Sequence, residues 1–216
     1  QAGLGSINIS LDSVDAQRFL QITGRDKCGD VQEGIAAARE AGLNPIKINA
    51  VLLRDDVEAE LERFFDWIRD HPYTLRFIEL MQTGDTATMF QEHHVPMHLL
   101  RKRLTAQRWQ RSLRDDDAGP AEEYSHPDFA GRVGLIAPYA PSFCSTCNRL
   151  RVSSQGDLHL CLFGRAHLSL RHLLQRDDDK DLLEQEVRRQ LQEKRISHFL
   201  HDGDPGDTPH LASIGG

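Results

Sequence analysis

Little in this sequence points to a membrane or to nucleic acid. No apolar run approaches the length of a membrane span, and the amino terminus lacks a signal-peptide pattern. Basic residues are not in excess: 26 Lys and Arg stand against 33 Asp and Glu, for a formal net charge of −7 and a pI near 5.9. A general nucleic-acid binder would show a basic surface instead. Cysteine is scarce, at four residues in 216. Without a secretory signal, such thiols fit a reducing compartment, where they bind metals rather than form disulfides, and the cytoplasm is the expected location. There is no internal repeat. Histidine is frequent, at eleven residues, but His93-His94, His198, His201 and His210 form no recognisable ligand set.

The chain is long enough for one ample core or a domain and a half. Residues 6–12 (SINISLD) alternate, with Ile7, Ile9 and Leu11 on one face and Asn8, Ser10 and Asp12 on the other. A short helix is expected over 15–22, closed by Gly24, and a second begins at a cap on Asp30 and ends at Gly42. Residues 45–53 read as a strand with Lys47 and Asn49 on one face. Asp55 or Asp56 caps a helix carrying Val57, Leu61, Phe64, Phe65 and Ile68, Pro72 ends it, and residues 74–81 form a third strand. Strand–helix–strand–helix–strand is the pattern of parallel βα units, whose ligand-binding residues gather at the carboxyl ends of the strands. Ser10, Asp12, Asn49 and Met81 lie at or near those ends. Three strands are too few for a closed barrel, which needs about eight, so the chain reads as starting inside a domain.

Beyond Met81 the texture changes. Residues 82–94 are polar and read as loop, 96–104 as helix and 114–123 as a linker around a Gly-Pro turn. Residues 133–137, 148–153 and 157–163 read as short strands of one antiparallel sheet, with a turn at Gln155-Gly156. Residues 168–174 and 182–191 have helical apolar spacing, with a solvated acidic run between them, and the Gly-, Pro- and Asp-rich tail is expected to be mobile.

Three of the four cysteines fall in one stretch: Cys144-x2-Cys147, then thirteen residues, then Cys161. Two cysteines so spaced can turn their sulfurs to one centre, and the third must return from a distant strand. A core pair that binds nothing is possible, and a redox pair would leave Cys161 idle. A Cys3His zinc site would recruit His159 as fourth ligand, and an iron–sulfur cluster with one open iron would use the three thiolates alone. Spacing does not separate the last two. Arg149 and Arg151 follow at alternating positions and share a face if the backbone is extended, as a guanidinium pair for an anion or as ordinary exposed residues. Cys28 has no partner at metal spacing.

The stretch FCSTCNRLRVSSQGDLHLCLFG resembles the second-cluster motif of the GTP 3′,8-cyclases of molybdenum cofactor biosynthesis, a family of radical S-adenosylmethionine (SAM) enzymes. ISLDS, ITGRDK, KINAVLLR, RFIELM and the terminal Ile214-Gly215-Gly216 are similar to that family in order and spacing. After LCLFG the family often has an acidic, glycine-rich turn, where this chain has Arg165-Ala166-His167. The family's amino-terminal Cys-x3-Cys-x2-Cys loop for the SAM cluster has no counterpart in the sequence.

The resemblance implies an α/β fold: the second half of a partial (β/α) TIM-type barrel over residues 1–95, then an α+β cluster- and GTP-binding domain over 96–216. It implies that Cys144, Cys147 and Cys161 hold a [4Fe–4S] cluster whose open iron contacts guanine. Lys47, Arg149, Leu150, Arg151, Gly215 and Gly216 would contact GTP, and Ser10 and Met81 would contact SAM, with Asn49 and Arg76 as weaker candidates. Without the resemblance, Lys47 is a solvated strand lysine, Met81 a core methionine and Arg76 the partner of a carboxylate such as Glu79. The family's further cofactors are SAM and a first [4Fe–4S] cluster. Its downstream partner is cyclic pyranopterin monophosphate synthase, and homodimers are common. This chain by itself is expected to bind the second cluster, and GTP weakly, without turning over.

Overall fold

The computed structural model describes residues 3–84, 86–112, 120–141, 143–147, 149–164, 168–195, 197–204 and 206. The chain forms two compact units, one from Gln1–Leu80 with Glu92–Ala137 and the other from Met81–Gln91 with Pro138–Gly216.

The first unit is mixed α/β around a mostly parallel six-stranded sheet. Its strands are β1 (Ile7–Ser10), β2 (Ile46–Leu52), β3 (Thr74–Glu79), β4 (Gln110–Arg111), β5 (Glu122–Ser125) and β6 (Arg132–Ile136), ordered β1-β2-β3-β6-β5-β4. β1, β2, β3 and β6 run parallel, while β5 and β4 add antiparallel at one flank. Helices α1 (Ala16–Thr23), α2 (Cys28–Glu40) and α3 (Val57–Arg69) lie in the β1–β2 and β2–β3 connections, and α5 (Met97–Ala106) precedes β4. Burial explains the pattern. In β2 the buried positions are Ile46, Ile48, Ala50 and Leu52, alternating with half-buried Lys47, Asn49 and Val51. Helix α3 buries Leu61, Phe64, Phe65 and Ile68, an i, i+3, i+4, i+7 stripe. Phe64 meets Phe77 of β3 edge to face, with centroids 5.6 Å apart.

The second unit is smaller. Its antiparallel sheet orders β7 (Arg151–Val152), β8 (Asp157–His159) and β9 (Leu168–Ser169) as β7-β8-β9. Buried Leu158, Leu160 and Leu170 form its core, against which Leu150, Leu168, Leu183 and Val187 pack, the last two from α6 (Lys180–Leu191).

Most of the first unit follows the expected order, with α1 closed at Gly24 and cis Asn44–Pro45 entering β2. Four expectations change. Residues 133–137 do not join the cysteine-bearing sheet: β6 pairs in parallel with β3, because Val133, Gly134 and Leu135 are buried as a central parallel strand must be. Residues 168–174 are not one helix: they open as strand β9, and only Arg171–Leu173 forms a single 3₁₀ turn. Leu168 pairs with Leu158 and the Leu170 N–H bonds the Gly156 carbonyl, so a short apolar run satisfied strand spacing equally well. The polar stretch 82–94 is not all loop: α4 (Ala87–His93) starts behind Thr86, and Phe90 rests on Tyr139 at 5.6 Å. Helix α2 begins two residues before Asp30, at Cys28, whose thiol lies 3.6 Å from the Ser13 carbonyl. Part of the expected linker, residues 113–119, lies outside the described residues, as does the tail from 207.

Candidate functional site

In the second unit, Cys144 opens a single 3₁₀ turn and the Cys147 N–H bonds the Cys144 carbonyl at 3.1 Å. Cys161 follows β8 and heads a turn of its own, its carbonyl accepting from the Gly164 N–H at 3.4 Å. Burial pushes the Cys161 thiol above its ordinary pKa, the Phe163 N–H on its sulfur pulls the other way, and the nearby Cys144 and Cys147 raise it again. The positive Lys194 opposes them. Cys144 and Cys147 thus stand near enough to act on the Cys161 thiol, and all three are free and at least partly exposed.

Among the described residues no group of three or more His, Cys, Asp or Glu side chains converges to hold a metal ion. The donor chemistry nevertheless fits a thiolate-held centre: three soft sulfurs, one N–H aimed at a sulfur, and an ammonium beside them. His159 Nδ1 lies 3.4 Å from the Gly164 carbonyl, a contact that a metal-ligating histidine also makes through its second ring nitrogen.

Arg149 is exposed and Arg151 half-buried, and between them Leu150 packs on the leucine core. Alternation about Leu150 places both guanidinium groups on the opposite side from that core. Met81 is half-buried just beyond β3. Gly215 and Gly216 lie outside the described residues.

The first unit gathers the other candidates on one sheet face. Ser10, Asn49, Arg76 and Gly134 align in register across β1, β2, β3 and β6, with Asn8, Lys47, Thr74 and Arg132 in the row below. Arg76 is buried and donates to Asn8 Oδ1, across the strand between them. Gly134 permits this: a Cβ there would stand 2.8 Å from Arg76 Cγ. The Asn49 Oδ1 is buried without a hydrogen-bond partner among the described residues. Beside this face, Asp12 accepts from the Val51 N–H at 3.0 Å, and burial pushes its carboxyl above the ordinary range.

Sequence reasoning missed several participants. Glu79, buried at the end of β3, pairs with His94, 3.0 Å away, and no salt bridge joins it to Arg76 among the described residues. Buried His198 sits between Phe143 and Phe163, at 5.8 and 5.1 Å, and burial lowers its pKa. Lys194 touches the Cys147 loop. None carried a signal beyond residue type, because each partner is more than a dozen residues away in the chain. Asn8 was visible on the polar face of its strand.

Residues 73–200 match the Molybdenum Cofactor Synthesis C family. The chain is 51% identical over 216 residues to a GTP 3′,8-cyclase of Vibrio parahaemolyticus, covering all of this chain and 65% of the relative. It is 50% identical over 216 residues to one of Stenotrophomonas maltophilia, covering 66% of it, and 51% identical over 215 residues to one of Aeromonas hydrophila, covering 63%. The chain thus spans about 65% of the length of these curated relatives. The match takes in β3, β6 and all three loop cysteines, so the arrangement described above is that of a member of the Molybdenum Cofactor Synthesis C family.

Proposed function

We propose that this chain is the cluster- and GTP-binding portion of a GTP 3′,8-cyclase, the first step of molybdenum cofactor biosynthesis. The observation that carries the reading is the pair of cysteine-headed turns, with three free thiols gathered near Cys161, next to Arg149 and Arg151. Cys144, Cys147 and Cys161 would hold a [4Fe–4S] cluster, which when bound supplies an open iron for a nitrogen-rich base. Arg149 and Arg151 offer fork-shaped donors to phosphate oxygens, with Leu150 anchoring the strand between them. Lys47 adds a further cation, half-buried on the polar sheet face and without a salt bridge among the described residues. Gly215 and Gly216 would approach the nucleotide by backbone.

Ser10 and Met81 contact SAM in this reading, and Asn49 and Arg76 order the polar face around them. The mostly parallel sheet is then part of a partial (β/α) barrel, begun by a barrel portion over 1–95 and continued by β4, β5 and β6 from the portion over 96–216, whose remainder carries the cluster. The complete enzyme uses SAM and a first cluster to convert GTP to 3′,8-cyclo-7,8-dihydro-GTP, which passes to cyclic pyranopterin monophosphate synthase. A cytoplasmic homodimer is the expected form. No helix of the described residues is long and apolar enough to cross a membrane.

The test is metal and sulfide content after anaerobic reconstitution, with visible spectra before and after GTP. About four irons and four sulfides per chain, a GTP-dependent spectrum, and loss of all of these in Cys161→Ser are expected. One zinc, no sulfide and a spectrum indifferent to GTP would leave a zinc module with Cys144, Cys147, Cys161 and His159.

A further inference from the structure

Lys194, just past α6, belongs to none of the sets assigned above. Its Nζ donates to the Cys147 carbonyl at 3.1 Å and to the Arg149 carbonyl at 3.0 Å, and stands 3.9 Å from Cys147 Sγ. An ammonium has three donors. Two are spent on carbonyls two residues apart, which leaves one for the sulfur. The same segment grips the other cysteine turn. Four residues on, His198 lies between Phe143, which precedes Cys144, and Phe163, which follows Cys161 by two. Gly206 presses on Phe163 so closely that a Cβ would stand 2.1 Å from the Phe163 carbonyl oxygen, and its φ of +71° suits glycine alone.

We propose that Lys194 is a positioning residue for the three-cysteine centre: it locks the backbone joining Cys147 to the arginine strand and fixes a positive charge beside a ligating sulfur. The proposal rests on the reading of that centre as an iron–sulfur cluster. Net charge and hydrogen bonds at the sulfurs set the potential of such a cluster. A cation within hydrogen-bonding reach favours the more negative, reduced state and so raises the midpoint potential. A cationic side chain with several donors can serve two carbonyls and a sulfur together.

The experiment compares reconstituted wild type, Lys194→Arg and Lys194→Met by iron and sulfide content and by a reductive titration followed by electron paramagnetic resonance. The expected result is equal iron in all three, a midpoint shifted negative in Lys194→Met, and one near wild type in Lys194→Arg. Loss of iron in Lys194→Met with retention in Lys194→Arg, both with wild-type circular dichroism, would also support the lock. A fully loaded Lys194→Met at the wild-type potential would overturn the proposal, and so would equal effects of the two substitutions. A wild type holding zinc without sulfide would sink the underlying reading and the proposal with it.

Discussion

The two units hold their polar residues in place by opposite means. In the sheet unit, Ser10, Lys47, Asn49 and Arg76 are aligned by backbone register, and the register is held by an aromatic and aliphatic core on the other face. In the cysteine unit, Cys144, Cys147 and Cys161 sit on turns over a core of a few leucines, braced by single side chains such as Lys194 and His198. A face built on packed strands is ordered before any ligand arrives. A loop site over a small core draws part of its order from whatever binds it, since metal binding and folding are coupled. The contrast shows that a chain can keep one surface permanently set and leave the other to be completed.

That contrast can be broken, and the largest effect comes from the aromatic core. Phe64 is fully buried against Phe77, so Phe64→Ala should cost about 3–5 kcal/mol in urea unfolding of the sheet unit. Iron uptake at Cys144, Cys147 and Cys161 should persist below the unfolding midpoint. Loss of iron in the folded protein would mean that the cysteine site depends on the sheet core after all.

A smaller effect tests the register itself. Gly134→Ala would force Arg76 off its path to Asn8 and should destabilise by about 1–3 kcal/mol, as overpacking does. Equilibrium binding of GTP should weaken as the polar face reorders. An unchanged midpoint with unchanged affinity would show that Arg76 has a second, equally good path.

The smallest effect is one of sign. Burial raises the Asp12 carboxyl above its unfolded value, so the native state disfavours the charged form. This penalty is absent below the unfolded pKa, grows as pH rises through the folded value, and is complete above it. Asp12→Asn retains an acceptor for the Val51 N–H and should raise the melting temperature near about pH 7, with the gain vanishing near about pH 3. A gain independent of pH would assign the effect to packing rather than to charge.

Much of the sheet unit was legible because its periodicities are long. Alternation in residues 6–12 and 45–53 and the Leu61–Phe64–Phe65–Ile68 stripe specify strand and helix over many residues at once. The cysteine site was legible as spacing and residue type, but its bracing was not. Lys194 reaches Cys147 across 47 residues, and no local pattern encodes such a contact. Short runs failed for the opposite reason: Leu168-Ser169-Leu170 fits a strand as well as a helix, and only pairing with Leu158 decides between them. The run 133–137 was read as a strand correctly, but its neighbours were not, because partner choice between β3 and the cysteine strands is a tertiary matter.

The order of the large sheet also makes its two flanks unlike. At one flank stands β4, a two-residue antiparallel strand that leaves little edge to extend. At the other stands β1, which among the described residues pairs with β2. The row from Ser10 to Gly134 is therefore fixed from within, by three successive strand pairings, and what lies beside either flank has no part in its alignment.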